Sequence, residues 1–466
     1  MSKFALMHVG IIGNGFCGLM VCHHLTHLGQ TGLKISIFEK QYSPGKGIAY
    51  SPQSEKVLLN VIASKMSALY DNPEHFVDWL CIQPQYKKEN RQLIANSFIP
   101  RAVYGQYLSE IWDETKLIAV KKGILIQSYH QEINDLTIED NKILLRTAQN
   151  EEYLFDKVIL ATGNQLPRNP KINHNELINS NRYYQNPWNF ETNLVDSEKP
   201  IFILGNGLTM VDTVIQIREK KIKNPIVAVS HNGFNILPHR NFNFNFTEIF
   251  PKIESKSSLL NIVSFLNREL KTLEKYGISA EPLIDYLRPN TQQLWQNFTI
   301  EEKRFFMKHL RHFWGVARHR IPFVTYDMIQ KERIEDTLKI ISGKIKTIKI
   351  LSDSISITYL EKNRKKETSV DCSIFINCTG PESDIEQTNS SLLNSCLEKG
   401  YIQQDLLRLG INTDVSTFKT INKDNQPNNN LYTLGSSLRG VLWETTAVNE
   451  LRLQSKNLAI EILQRR

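Results

Sequence analysis

Apolar runs and helical periodicities alternate along this chain, and the first of them sets a plan that later ones repeat. Residues 5–12 are almost wholly apolar, which predicts a strand buried on both faces. Gly13, Gly15 and Gly18 follow it, then an apolar helix pattern over Phe16–Leu28, then a second strand over Ile35–Phe38 that stops at Glu39. A short helix is expected over Pro73–Leu80 and another helix from Arg101 onward, the second carrying Tyr104, Tyr107, Leu108 and Trp112 at helical spacing. Residues 123–145 alternate in the manner of a small antiparallel meander, and residues 155–163 form an apolar strand ending in Ala-Thr-Gly. At Pro200 the opening pattern restarts, with a strand over Ile201–Leu204, Gly205 and Gly207, a helix, and a strand over Ile226–Val229. Residues 240–322 read as mainly helical, and strands return over 338–359. Cys372–Gly380 repeats the strand with Thr-Gly at its end, Leu431–Leu434 leads to Gly435, and Thr446–Leu463 is an amphipathic helix.

This order predicts an α/β protein with two Rossmann-like dinucleotide-binding domains, the first of them discontinuous. Residues 1–165 and 372–466 are assigned to the first domain. Residues 198–371 are assigned to the second, with a helical insertion at about 250–322. In each opening turn the glycines have separate tasks: a tight exit from the strand, close approach of a pyrophosphate to bare backbone, and close helix–sheet packing. The helix start offers free N–H groups and a positive dipole end. Glu39, about 20 residues on, suits a ribose diol.

The second fold departs from the first at two places. Met210 stands where a third glycine would be, and the second strand ends in Ser230-His231-Asn232 with no acid. Absence of that carboxylate favours a 2′-phosphate, hence NADPH over NADH, with His231 at the site. Two strands ending in Thr-Gly, with Thr162, Gly163 and Gly380, bring hydroxyl and backbone toward a cofactor. The helix after Gly435 points its start, with Thr446, at whatever lies above. Arg101 opens a helix, where a cation opposes the dipole, so contact with a cofactor phosphate or adenine is expected, a surface ion pair being the alternative. Arg311, His312, Arg318, His319 and Arg320 gather as either an anion clamp or a solvated basic face.

Composition narrows the class. The chain has 466 residues, too many for one core, with 41% hydrophobic and 22% charged residues and a formal charge of +8. Its Lys and Arg are scattered, which argues against a nucleic-acid surface. The six cysteines form no C-x-x-C pair and no zinc spacing, so reduced thiols, a cytoplasmic location and no metal site are expected, and a redox-active disulfide is disfavoured. No apolar run reaches the roughly 18 residues of a membrane span.

The segments GIIGNGFCGLM, GKGIAYSPQSEKVLLNVIASKMSALYDNPEHFVDWL, FIPRAVYGQYL, ILATG, ILGNGLTMVD, HFWGVARHRIP and GSSLRGVLWETTAVNELRLQS span nearly the whole chain. In them it resembles the FAD/NAD(P)-binding protein family, flavoproteins with two dinucleotide-binding domains. More distantly the layout is similar to single-component flavin monooxygenases. The resemblance implies FAD at Gly13, Gly15, Gly18, Glu39, Arg101 and the Gly435 region, and a nicotinamide cofactor near Gly205 and Gly207. Phe16 and Lys40 are placed with the FAD contacts. Asn60 and Met66 are placed at the flavin face, against a loop-capping amide and core packing. Trp443 and Glu444 are placed beside the ring edge as the catalytic candidates, against core packing and a helix-start acid.

The activity expected is an FAD-dependent oxidoreductase, with hydride passing from NADPH to flavin N5 and O2 then activated to oxygenate a small molecule. The alternatives are a flavin reductase or dehydrogenase without oxygen activation, and a non-catalytic FAD-binding sensor or scaffold.

Overall fold

The computed structural model describes residues 7–41, 44–51, 54–196, 198–239, 253–254 and 256–464. The predicted strand residues 5 and 6, the predicted helical residues 240–252 and 255, and 465–466 of the first domain lie outside these.

The chain begins with β1 (Met7–Ile12), α1 (Phe16–Leu28) and β2 (Leu33–Phe38). Helix α2 (Arg101–Lys122) follows, then β3 (Leu125–Tyr129), which pairs parallel to β2. The expected meander is therefore a strand later than predicted: β4 (Ile133–Glu139), β5 (Lys142–Thr147) and β6 (Glu152–Phe155) form their own three-stranded antiparallel sheet. β7 (Lys157–Leu160), apolar and buried throughout, returns to pair with β1.

The second lobe contains β8 (Tyr183–Tyr184), β9 (Ile201–Leu204), α3 (Leu208–Glu219) and β10 (Ile226–Ser230). A helical insertion comes next: α4 (Leu259–Glu274), α5 (Glu281–Leu287), α6 (Thr291–Asn297), α7 (Ile300–Phe305) and α8 (Arg311–Arg318). Strands β11 (Leu338–Ile350), β12 (Ile355–Glu361), β13 (Lys366–Cys372) and β14 (Ile374–Asn377) complete that lobe. The chain ends with β15 (Thr413–Asp414), β16 (Lys419–Ile421), β17 (Pro427–Thr433) and α9 (Val448–Gln464).

Two seven-stranded sheets result. One has the order β15-β16-β17-β7-β1-β2-β3, so residues from both ends of the chain share it. The other has the order β13-β12-β11-β10-β9-β14-β8. β14 pairs parallel with β9 through Ile374–Asn377. This corrects the expectation that Cys372–Gly380 belongs with the first domain. Its buried Ile374 and Ile376 extend the apolar centre of the second sheet, and the chain crosses back only after Gly380.

The C-terminal helix α9 packs along α1, and Lys157 of β7 donates to the carbonyl of Ile462 at 2.7 Å. Gly435 sits against α1, where an added Cβ would be 3.0 Å from the Cys17 sulfur. Each lobe folds its opening turn alike. Gly13 (φ 104°) and Gly205 (φ 108°) occupy the left-handed region, and a Cβ on either would collide with a carbonyl of the neighbouring strand end, Ala161 or Cys378. Only glycine satisfies both demands.

Candidate functional site

At the carboxyl edge of the first sheet, three adjacent parallel strands end in side-chain oxygens that lack a partner. Asn14 Oδ1 follows β1, Thr162 Oγ1 follows β7 and Ser436 Oγ follows β17; all are buried with no hydrogen bond. Buried polar atoms are ordinarily paired, so three orphans in a row at strand ends mark a place for a ligand. Beside them, Glu39 accepts from the backbone N–H of Asn14 (2.9 Å) and of Gln41 (3.0 Å), one bond per oxygen. Lone pairs remain on each oxygen for ribose hydroxyls. The α1 start is open at Gly15, whose added Cβ would meet only the backbone of Gly47, at 3.5 Å. The backbone of Gly18 lies against that of Gly13, which keeps α1 close to the sheet. These residues fit a dinucleotide such as FAD.

Other predicted contacts have neighbours within the protein. Phe16 and Met66 are 7% and 4% exposed within the first lobe's apolar core, so core packing is what surrounds them. Lys40 points away to Glu132, 3.1 Å distant. Asn60 holds His239 of the second lobe through its carbonyl, at 2.8 Å. At Arg101 the ion pair expected as the alternative forms, buried rather than at the surface. Its guanidinium meets the carboxylate of Asp212 on α3 at 2.9 Å, with both side chains largely buried. The pair joins the two lobes. Burial pushes the Asp212 carboxyl up to about 6, against the opposing pull of Arg101.

In the second lobe, Gly207 and Gly380 face open space, one at each strand end of the turn. Gly380 thus belongs to this nucleotide fold rather than to the first. His231 ends β10 exposed, and Lys362, from the turn after β12, brings its ammonium within 3.0 Å of the imidazole. The sequence carried no sign of Lys362, which lies 131 positions away. A cation there, with no acid, suits a 2′-phosphate.

Gly163, Ser436 and Thr446 line a cleft of about 260 Å³ between the first lobe and the insertion. Trp443 and Glu444 line it too. Trp443 is also built into the insertion's core, stacked on Trp295 at 5.0 Å and edge-on to Phe306 at 5.1 Å. Glu444 accepts from the indole N–H of Trp314 (2.9 Å) and faces Arg318 (3.5 Å), and its carbonyl accepts from Gln292. The predicted basic cluster divides. Arg318 and Arg320 go to Glu444 and Glu281, whereas Arg311 lines the cleft with no ion pair to a described residue. Among the described residues no cluster of His, Cys, Asp and Glu could hold a metal, and no helix is long and apolar enough to cross a membrane.

Residues 10–165 match the FAD-NAD(P)-binding family. A relative, the uncharacterized protein YdhS of Escherichia coli (strain K12), is 24% identical over 235 residues, which are 48% of this chain and 40% of that protein. The chain thus matches well under two thirds of that relative's length. Among solved structures, the ornithine N-hydroxylase KtzI of Kutzneria sp. 744 aligns with a TM-score of 0.64 at 13% identity, covering 99% of both chains. The ornithine hydroxylase PvdA of Pseudomonas aeruginosa gives 0.65 at 12%, again over 99% of each. The bacillithiol disulfide reductase Bdr of Staphylococcus aureus gives 0.56 at 11%, over 99% of this chain and all of that one. At such identities the likeness is one of fold. That fold is the two-lobed α/β architecture expected from the repeated glycine turns.

Proposed function

We propose that the chain is an FAD-dependent oxidoreductase reduced by NADPH, of the monooxygenase kind, acting on a small molecule. The observation that carries this is the row of orphaned oxygens, Asn14, Thr162 and Ser436, beside the Glu39 carboxylate and the bare α1 start. When bound, FAD and NADPH supply the two-electron chemistry. The protein's part is to bind and orient them. Glu39 accepts ribose hydroxyls, and the α1 N-terminus at Gly15 receives the pyrophosphate. Thr446 and the segment leading into α9 stand at the cleft where the ring system would lie. His231 and Lys362 hold the 2′-phosphate of the second nucleotide at the end of β10. Helix α8 of the insertion forms one wall of the cleft through Arg311 and Trp314.

The likeness to ornithine hydroxylases supports the monooxygenase reading, and the cysteines support it against thiol chemistry. Burial pushes the thiols of Cys17, Cys22, Cys372, Cys378 and Cys396 up to about 12, so none is a ready nucleophile. All six cysteines are free, which suits the reducing cytoplasm. Purified protein loaded with FAD should oxidise NADPH and take up O2 faster when an accepted small amine or acid is added. NADPH oxidation without oxygen uptake would make it a reductase. A yellow protein inert to NADPH would make it a flavin-carrying scaffold.

A further inference from the structure

The helical insertion borders a second space, a half-open apolar chamber of about 460 Å³. Its walls include Ile262, Leu266, Leu283, Leu294 and Phe298. Cavities of this size are typical of small-molecule sites, and a charged amino-acid head group would lose its hydrogen bonds among such walls. Trp314 and Trp443 line both this chamber and the cleft beside Gly163 and Thr446, so the two spaces adjoin at these rings.

The junction is under strain at Trp443. Trp443 has φ 60° and ψ −75°, a conformation costly for a bulky residue, and its buried indole N–H has no acceptor. Such strain persists where the surroundings impose it, commonly at ligand sites.

On the cleft side stand two guanidiniums, Arg311 and Arg439. The Arg439 group lies over the Trp443 ring, 5.1 Å from its centroid. Neither makes an ion pair with a described residue, while the nearby Glu444 is held by Trp314 and Arg318. Burial pulls both guanidinium pKa values down; for Arg439 the charge of Arg311 adds to the effect and that of Glu444 opposes it. Two desolvated, mutually repelling cations gain most from an anion placed between them.

We propose that the substrate is an elongated apolar carboxylate. Its chain occupies the chamber in the insertion, and its carboxylate reaches past Trp443 to Arg311 and Arg439 in the adjoining cleft. This rests on the flavoenzyme reading only in calling the ligand a substrate; the binding itself requires no redox activity.

The test is calorimetric titration of the full-length, FAD-loaded protein with octanoate, decanoate and dodecanoate, then with dodecylamine and dodecanol. Affinity should rise about fourfold per added methylene, as burial of a growing chain requires. Dodecylamine should bind at least about tenfold more weakly than dodecanoate, because it meets two cations with the wrong charge. Arg439→Gln and Arg311→Gln should each weaken dodecanoate about tenfold or more while leaving dodecanol unchanged. Val263→Trp, which fills the chamber, should abolish chain-length dependence. Affinities independent of chain length, or equal for acid and amine, overturn the proposal. So does a loss of NADP⁺ binding in the arginine variants with dodecanoate unaffected, since the anion would then be a cofactor phosphate. The chain-length series uses the unaltered protein, so a variant that fails to fold leaves the result decisive. A colourless protein that binds dodecanoate would uphold the chamber and remove the flavin reading. A yellow, NADPH-bleached protein that binds none would do the reverse.

Discussion

Replacing Arg101 by methionine removes the positive partner of Asp212 and leaves a carboxylate sealed between the lobes. With Arg101 in place that carboxyl titrates at about 6 instead of 3.8, because burial outweighs the ion pair. The displacement corresponds to about 3 kcal/mol charged against the ionised folded state. Breaking a buried pair typically costs about 3–5 kcal/mol. Here a proton sets a lower ceiling. Between about pH 6 and pH 8 the variant can protonate Asp212 for at most about 2.7 kcal/mol beyond the parent. The sign follows from the raised value. A carboxyl whose folded pKa lies above its unfolded one holds an extra proton in the folded chain, so stability falls as pH climbs through that window. In the parent the fall ends near pH 6; in the variant it continues upward. The deficit of Arg101→Met should therefore be small at pH 5 and about 2–3 kcal/mol at pH 8. For a lobe of 150–250 residues that is roughly 5–10 °C in apparent Tm. His8, His23 and His24, which burial holds down near 4, 3 and 4, destabilise both proteins alike below pH 6.5 and cancel in the difference. Thermal unfolding followed by circular dichroism at the two pH values measures the effect. Arg101→Met/Asp212→Asn should recover most of the loss at pH 8. An equal deficit at both pH values, or no rescue by Asn, would refute a buried charge as the cause.

Gly15→Asp should abolish retention of FAD, because a carboxylate would stand where the α1 start admits a pyrophosphate; a variant purified with the usual flavin absorbance would contradict that. Lys362→Ala should raise KM for NADPH about tenfold or more and leave NADH nearly unchanged, since only the 2′-phosphate meets the ammonium. His231→Asp should act in the same direction and more strongly, by adding a like charge opposite the phosphate. Initial-rate assays with both nucleotides decide the two cases, and unaltered discrimination would take these residues out of the site.

Much of the fold was legible in the sequence because strand, glycine turn and helix must occur in fixed order for a phosphate to reach the backbone. Both lobes and the return of the C-terminal segment to the first sheet follow from that local grammar. β14 was misplaced because an apolar strand ending in Thr-Gly reads the same in either lobe; only its pairing with β9 tells them apart. The place of Arg101 at a helix start implies an anion, and the structure supplies one in a carboxylate 111 residues on, which no local pattern announces. Asn14 and Ser436 lay within the glycine turns and were open to recognition as polar tips aimed at a ligand. Lys362 and the Arg311–Arg439 pair were not, since each is assembled from segments distant in sequence.

The most direct test is a crystal structure of the protein with FAD. The pyrophosphate should lie over Gly13–Gly18 at the α1 start, a ribose should bond Glu39, and Asn14, Thr162 and Ser436 should each gain a ligand partner. FAD bound elsewhere, or those oxygens still without partners in the complex, would contradict the account.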